Sequence, residues 1–124
     1  MRARLESPIG SFDPPIDLVH LASQCLGDHE LQVELLGLFR RQAPALTAQL
    51  CGSPPLSLEL RARIAHTLRG SALAVGARRV ASAAWRIEEL AVGSGGRNSA
   101  EAAATAALRS AVAEALAEIE RIRD

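Results

Sequence analysis

Apolar residues recur at intervals of three or four along most of this chain, in segments separated by glycine, proline and serine. The clearest runs are Leu35, Phe39, Ala43, Leu46 and Leu50, then Val80, Ala84, Ile87 and Ala91, and finally Leu108, Val112, Ala115, Ile119 and Ile122. This spacing places apolar side chains on one face of a helix and leaves the opposite face polar. The pattern predicts amphipathic helices that each bury one narrow stripe.

Capping residues, glycines and prolines give the expected bounds of the helices. The predicted ranges are 17–24, 29–50, 57–76, 77–92 and 98–123. Pro44 lies inside the second range, and we expect a kink there because the apolar period continues on both sides. Gly76 is a typical residue for ending a helix, while Asn98 and Glu101 have the spacing of a capping box.

Four of these helices are long and are joined by short loops. The sequence therefore predicts an all-α fold, an antiparallel up-down-up-down four-helix bundle with a short extra N-terminal helix covering one end. Residues 1–15 contain three prolines and a glycine and are expected to form an irregular N-terminal arm, so the domain spans 16–124. A chain of 124 residues fits a single domain of this kind.

The third helix carries a histidine on its polar side. At about 100° per residue, the residues within roughly 60° of His66 are Glu59, Ala62, Arg63, Arg69, Gly70 and Leu73. The opposite stripe consists of Leu60, Ile64, Leu68, Ser71 and Val75. We therefore expect His66 to face solvent while the opposite stripe faces the core.

Gly70 follows His66 by about one turn on the same exposed side. Glycine inside a helix costs about 1 kcal/mol relative to alanine, so such a residue often has a packing or close-approach reason. On a solvent-facing stripe, packing within the protein gives no reason for a glycine. One interpretation is that Gly70 clears space for an external molecule to reach His66, and the other is that the glycine is merely tolerated.

The charge of the chain limits the kinds of partner that it is expected to bind. The formal net charge is zero, which argues against a nucleic-acid or membrane partner. Between residues 57 and 97, however, the chain has seven arginines and three glutamates. The resulting local net charge of +4 favours a partner with an acidic surface or a phosphoryl group. Neither a signal peptide nor an apolar run of the roughly 18 residues needed for a membrane span is present, so we expect a cytoplasmic protein.

The remaining reactive residues give little support to other chemistries. Two isolated cysteines are too few for a metal site or a disulfide framework. No serine or cysteine accompanies His66 on its stripe, and Glu59 is the one carboxylate there, so a hydrolytic triad is not supported. His20 and His29 are expected to be structural or solvated, and Trp85 to be a half-buried packing residue, with docking as the alternative.

A histidine followed three residues later by a cation suits a transferable phosphoryl group. Imidazole is a good nucleophile near neutral pH, and an arginine one turn away can bind phosphoryl oxygens through charge-assisted hydrogen bonds. Arg69 is placed for this role, and Arg63 could assist from the preceding turn.

Residues 65–72, Ala-His-Thr-Leu-Arg-Gly-Ser-Ala, continuing through Gly76-Ala77, Val80 and Ile87-Glu88, resemble the signature of histidine-containing phosphotransfer (HPt) domains. That pattern runs His-x-Leu-Lys-Gly-Ser, then Gly-Ala, an aliphatic residue and a Leu-Glu pair. The resemblance extends to residues 16–18 and 35–39 and covers most of 16–123.

The resemblance implies that His66 accepts a phosphoryl group from a receiver-domain aspartate and passes it to another receiver. Arg69 would lie near the phosphoryl oxygens, and Gly70 would admit the receiver. Ala62 and Leu73 would belong to an apolar docking patch. Arg69 departs from the usual lysine and keeps the charge with a planar, forked group. Such domains use no metal or cofactor of their own, since Mg²⁺ belongs to the receiver, and alone they are not enzymes.

Three functions remain open on the sequence. The first is an intermediate in a multistep His-Asp phosphorelay, acting as a monomer with response-regulator receivers and a hybrid or separate histidine kinase. The second keeps the fold but has a kinase phosphorylate His66 directly in trans. The third is a non-transferring module that binds a receiver or kinase, against which the intact His66 and Gly70 argue.

Overall fold

The computed structural model describes residues 14–52, 56–93 and 99–123, and over these ranges the chain forms five helices and no strand. They are α1 (Leu18–Gln24), α2 (His29–Cys51), α3 (Leu58–Val75), α4 (Arg78–Gly93) and α5 (Ser99–Arg123). Each bound lies within one residue of the predicted range. Most of the expected arm, residues 1–13, and the expected cap Asn98 lie outside the described residues.

Short polar side chains begin the first three helices. Asp17, Asp28 and Ser57 each accept a hydrogen bond from the backbone N–H three residues further on. These bonds satisfy donors that have no partner inside the helix. The second helix continues through Pro44 to Cys51, so the proline does not end it, as predicted.

The four long helices pack in a ring in which each contacts its sequence neighbours and α2 also contacts α5. Arg79, near the start of α4, forms an ion pair with Glu114 in the second half of α5, as expected for antiparallel helices joined by a short loop. The short α1 packs against α2 and α3. The predicted four-helix bundle with an additional N-terminal helix is confirmed.

The turn between α3 and α4 is held by a glycine that no other residue could replace without strain. Gly76 has φ +75°, and a Cβ added there would lie 2.8 Å from the carbonyl oxygen of Asp17. Asp17 donates its backbone N–H to the Gly76 carbonyl at 3.0 Å, and its carboxylate pairs with Arg78 at 2.7 Å. These contacts fix α1 against the turn.

His20, which was expected to be structural or solvated, reinforces this attachment. Its Nε2 lies 2.9 Å from the carbonyl oxygen of Leu73, and because a carbonyl only accepts, Nε2 carries the hydrogen. The partner Leu73 is on α3, 53 residues away in sequence, so the residues near His20 in sequence could not predict this contact. The role of His20 is structural, which was one of the two roles expected from the sequence.

The predicted apolar stripes of α2, α4 and α5 lie in the core or at its edge. The stripe predicted for α3 is partly wrong. Leu60 is 39% exposed, whereas Arg61 is 1% exposed and forms an ion pair with the equally buried Glu101 at the start of α5. The buried stripe is Arg61, Ile64, Ala65, Leu68, Ala72 and Val75. An arginine at the first of these positions made the correct face look polar.

Candidate functional site

His66 lies near the middle of α3 on the side that the bundle leaves uncovered. Its side chain is 66% exposed. The residues immediately before and two positions after it, Ala65 and Leu68, are fully buried, so the register of the helix fixes the direction in which the imidazole points. The predicted solvent-facing histidine is therefore observed.

A carboxylate from the next helix holds the imidazole. The Nδ1 atom of His66 lies 3.1 Å from Oε2 of Glu88 on α4. A carboxylate accepts hydrogen bonds and does not donate them, so Nδ1 is the donor. In the neutral ring the hydrogen is then on Nδ1, and Nε2 keeps its lone pair. Glu88 selects both the orientation and the tautomer of His66.

Arg69 joins the same carboxylate from the next turn of α3. Its Nη1 lies 3.6 Å from Oε1 of Glu88, within ion-pair range but too far for a hydrogen bond. The Arg69 side chain is one-third exposed. The guanidinium is thus kept beside His66, while its hydrogen-bond donors are not used by Glu88. This matches the predicted position of a cation next to the imidazole.

The sequence interpretation missed the contact of Glu88 with His66, because it considered carboxylates on the stripe of α3 only. The contact could have been predicted from the short turn between α3 and α4. His66 precedes Gly76 by ten residues and Glu88 follows Ala77 by eleven, so an antiparallel pair joined by that two-residue turn brings the two side chains level. Counting outward from a short turn would have found the partner.

Gly70 lies one turn beyond His66 and is exposed. A Cβ built at this position meets no atom of the described chain within 4 Å. The fold therefore has room for a larger residue, and neither packing nor backbone geometry accounts for the glycine. Any steric reason for it comes from outside the chain.

The other predicted site residues surround His66 on α3. Ala62 is half-buried, Arg63 is exposed, and Leu73 is 46% exposed. Thr67 donates its hydroxyl to the carbonyl of Arg63 at 3.1 Å. Ser71 does not bond back to its own helix, because its hydroxyl instead donates to Oε1 of Gln42 on α2 at 3.3 Å.

Neither a metal-binding cluster nor a membrane-spanning helix occurs among the described residues. Within these residues no three histidine, cysteine or acidic side chains lie close enough together to hold a metal ion. In the same part of the chain, none of the helices combines the length and the apolar character needed to cross a membrane.

Comparison with known protein families finds a match over most of the chain. Residues 34–123 match the family model for the Hpt domain, which covers more than half of the chain and includes α3, α4 and their shared site. The comparisons with curated proteins and with solved structures give no significant match.

Proposed function

The chain belongs to the Hpt domain family, whose members carry out histidine phosphotransfer in two-component signalling, and we propose that it relays a phosphoryl group between receiver-domain aspartates through His66. The observation that supports this best is the hydrogen bond from Nδ1 to Glu88, which leaves the lone pair on Nε2 of an exposed imidazole. The protein acts as a monomeric carrier and not as an enzyme.

The transfer is a displacement at phosphorus. Nε2 of His66 attacks the aspartyl phosphate of the receiver, the N–P bond forms, and the P–O bond breaks with its electron pair returning to the receiver's carboxylate. No proton has to leave Nε2, because the ring hydrogen is on Nδ1. The ring gains positive charge in this step, and the Glu88 carboxylate stabilises it. The reverse displacement delivers the group to a second receiver.

Two neighbours assist this displacement. Arg69 turns from Glu88 toward the phosphoryl oxygens, which accept stronger, charge-assisted hydrogen bonds. Gly70 leaves the clearance that lets the receiver's active-site surface approach Nε2. Arg63 adds positive potential, and Ala62 and Leu73 contribute apolar contact.

Direct phosphorylation of His66 by a kinase in trans uses the same nucleophile and is the second candidate. A kinase would deliver the phosphoryl group from ATP, whereas a receiver would deliver it from aspartate. The two are distinguished by supplying either donor alone.

The proposal is tested by mixing the protein with a receiver domain that carries radiolabelled phosphate. Label should move to this chain in an acid-labile, base-stable linkage. Trypsin cleaves after Arg63 and Arg69, so the label should be found in the peptide 64–69, which holds His66 and Thr67 as its acceptors. An acid-stable linkage in that peptide, or label elsewhere, contradicts the proposal.

The role of Glu88 gives a separate prediction. Glu88→Ala should slow transfer about tenfold to hundredfold at saturating receiver, because the imidazole loses its fixed tautomer and the carboxylate that balances its charge. Glu88→Gln keeps a hydrogen-bond acceptor and should be less impaired. Single-turnover transfer rates measure the effect, and ¹⁵N shifts of the imidazole report the tautomer.

Glu89→Ala is the matched control, since Glu89 is the adjacent carboxylate and pairs with Arg86 on the outside of α4. It should transfer at the rate of the unmodified protein. Equal rates for the Glu88 and Glu89 variants, with no change in the ¹⁵N shifts, would remove Glu88 from the mechanism.

A further inference from the structure

A small apolar cleft lies between α1, the start of α2 and the end of α5. It encloses about 210 Å³ and is lined by Leu18, His29, Gln32, Val33, Leu36 and Ile122. Leu36 is 4% exposed and belongs to the core, whereas Leu18 and Val33 are 46% and 48% exposed. No side chain of the described residues fills the space between them, so the cleft leaves apolar surface in contact with water. None of its residues belongs to the site around His66 on α3 and α4.

The cleft has the size of an aromatic ring. A cavity of about 150 Å³ lined by aliphatic and aromatic side chains is large enough to bind benzene, so the cleft can admit one phenyl group. The chain has two phenylalanines. Phe39 is 1% exposed and is already part of the core, whereas Phe12 is in the segment that precedes α1.

That segment is attached beside the cleft. Phe12 precedes Leu18, a wall residue of the cleft, by six residues, which span roughly 20 Å at most. The backbone bends at Pro15 and Ile16 before α1 begins, and the 2% exposed Ile16 fixes the attachment point to the bundle. A group on so short a tether has an effective concentration in the millimolar range. The tether therefore favours Phe12 over a separate molecule as the occupant.

We propose that Phe12 binds in this cleft and that the segment before α1 thereby closes this end of the bundle. The ring packs between Leu18 and Val33 and covers Leu36. Burial of a phenylalanine side chain favours the closed form by about tenfold or more. The contact is separate from phosphotransfer, because the cleft shares no residue with the site around His66.

Limited proteolysis tests the proposal in the full chain. Chymotrypsin cleaves after Phe12, and it can do so only while the ring is out of the cleft. Val33→Glu places a carboxylate in the wall of the cleft from a half-exposed helix position. The product that begins at Asp13 should form about tenfold or more faster in this variant than in the unmodified protein. Cleavage after Trp85, in the middle of α4, reports unfolding of the bundle and should not change.

Val19→Glu is the matched control. Val19 is 81% exposed on α1 and does not line the cleft. This variant carries the same added charge at the same end of the bundle, so it should be cleaved after Phe12 at the rate of the unmodified protein.

Methyl NMR spectra provide a measurement that needs no protease. Phe12→Ala should shift the methyl signals of Leu18 and Val33, which the bound ring contacts, and leave those of the buried Leu108 on α5 unchanged. It should also transfer label to His66 at the normal rate, and slower transfer would contradict the separation of cleft and site. Equal cleavage after Phe12 in all three proteins, with methyl signals that Phe12→Ala does not change, would overturn the proposal. Protection that disappears on dilution would assign the cleft to a second copy of the chain instead.

Discussion

His66→Gln should take up no label from a phosphorylated receiver, with a transfer rate reduced by at least about 10³-fold. Glutamine occupies a similar volume and retains polar groups, but its amide nitrogen has no available lone pair with which to attack phosphorus. The position is 66% exposed, so the fold should be unaffected. Label transfer measured over a time course, together with the circular dichroism spectrum, checks both statements.

The structure supplies a matched control for this variant. His20→Gln changes the histidine that donates to the Leu73 carbonyl, about two turns from His66. It should transfer at a normal rate, because glutamine can also donate to that carbonyl and the nucleophile is intact. Label uptake by His66→Gln that equals uptake by His20→Gln would overturn the assignment of the acceptor.

His66→Gln should also keep its affinity for the receiver. Docking rests on the surface around the imidazole, and the substitution leaves Gly70 and Leu73 in place. A receiver Kd within about twofold of the unmodified protein is expected. The pairing of lost transfer with retained binding separates a chemical role for His66 from a docking role.

The positions of the helices could be predicted closely because local chemistry determines them. Asp17, Asp28 and Ser57 satisfy the first N–H groups of their helices, and Gly76 supplies the left-handed conformation at the end of α3. These are interactions between residues close in sequence, which spacing alone reveals. The direction of His66 followed in the same way from the helical period.

Contacts between helices were predicted less well. The hydrogen bonds from His66 to Glu88 and from His20 to Leu73 join residues 22 and 53 positions apart. The residues around Glu88 and Leu73 on their own helices do not identify either as a partner. Each pair forms because of the way the helices are packed against each other. The first could have been found by counting from the short turn, whereas the second depends on how α1 folds over the end of the bundle.

Arg61 shows why the core face of α3 was misplaced. Hydrophobic periodicity assigns a charged residue to solvent, since burying an isolated charge is very costly. Here Glu101 at the start of α5 provides an opposite charge, and both side chains are almost completely buried. The rule fails where the compensating charge comes from a distant helix, and the pair therefore has a measurable energetic consequence.

Replacing one member of this pair should be the most destabilising single polar change among the ion pairs described above. Arg61→Ala or Glu101→Ala leaves the remaining buried ion without the opposite charge of this pair and should cost about 3–5 kcal/mol of unfolding free energy. For a chain of this length that corresponds to a fall in Tm of roughly 10–20 °C. Urea and thermal denaturation measure it. Arg86→Ala, which breaks an exposed pair with Glu89, should cost less than about 1 kcal/mol.

The double variant Arg61→Met with Glu101→Leu separates the cost of a broken pair from the net value of an intact one. Both side chains are apolar and of similar length, so neither charge remains to be buried. Such replacements are commonly neutral or stabilising by about 1–4 kcal/mol, because the desolvation cost of the two ions is removed. Stability near that of the unmodified protein would show that the pair specifies how α3 packs on α5 more than it stabilises the bundle. A double variant as unstable as Arg61→Ala would show instead that the ion pair itself provides the stability.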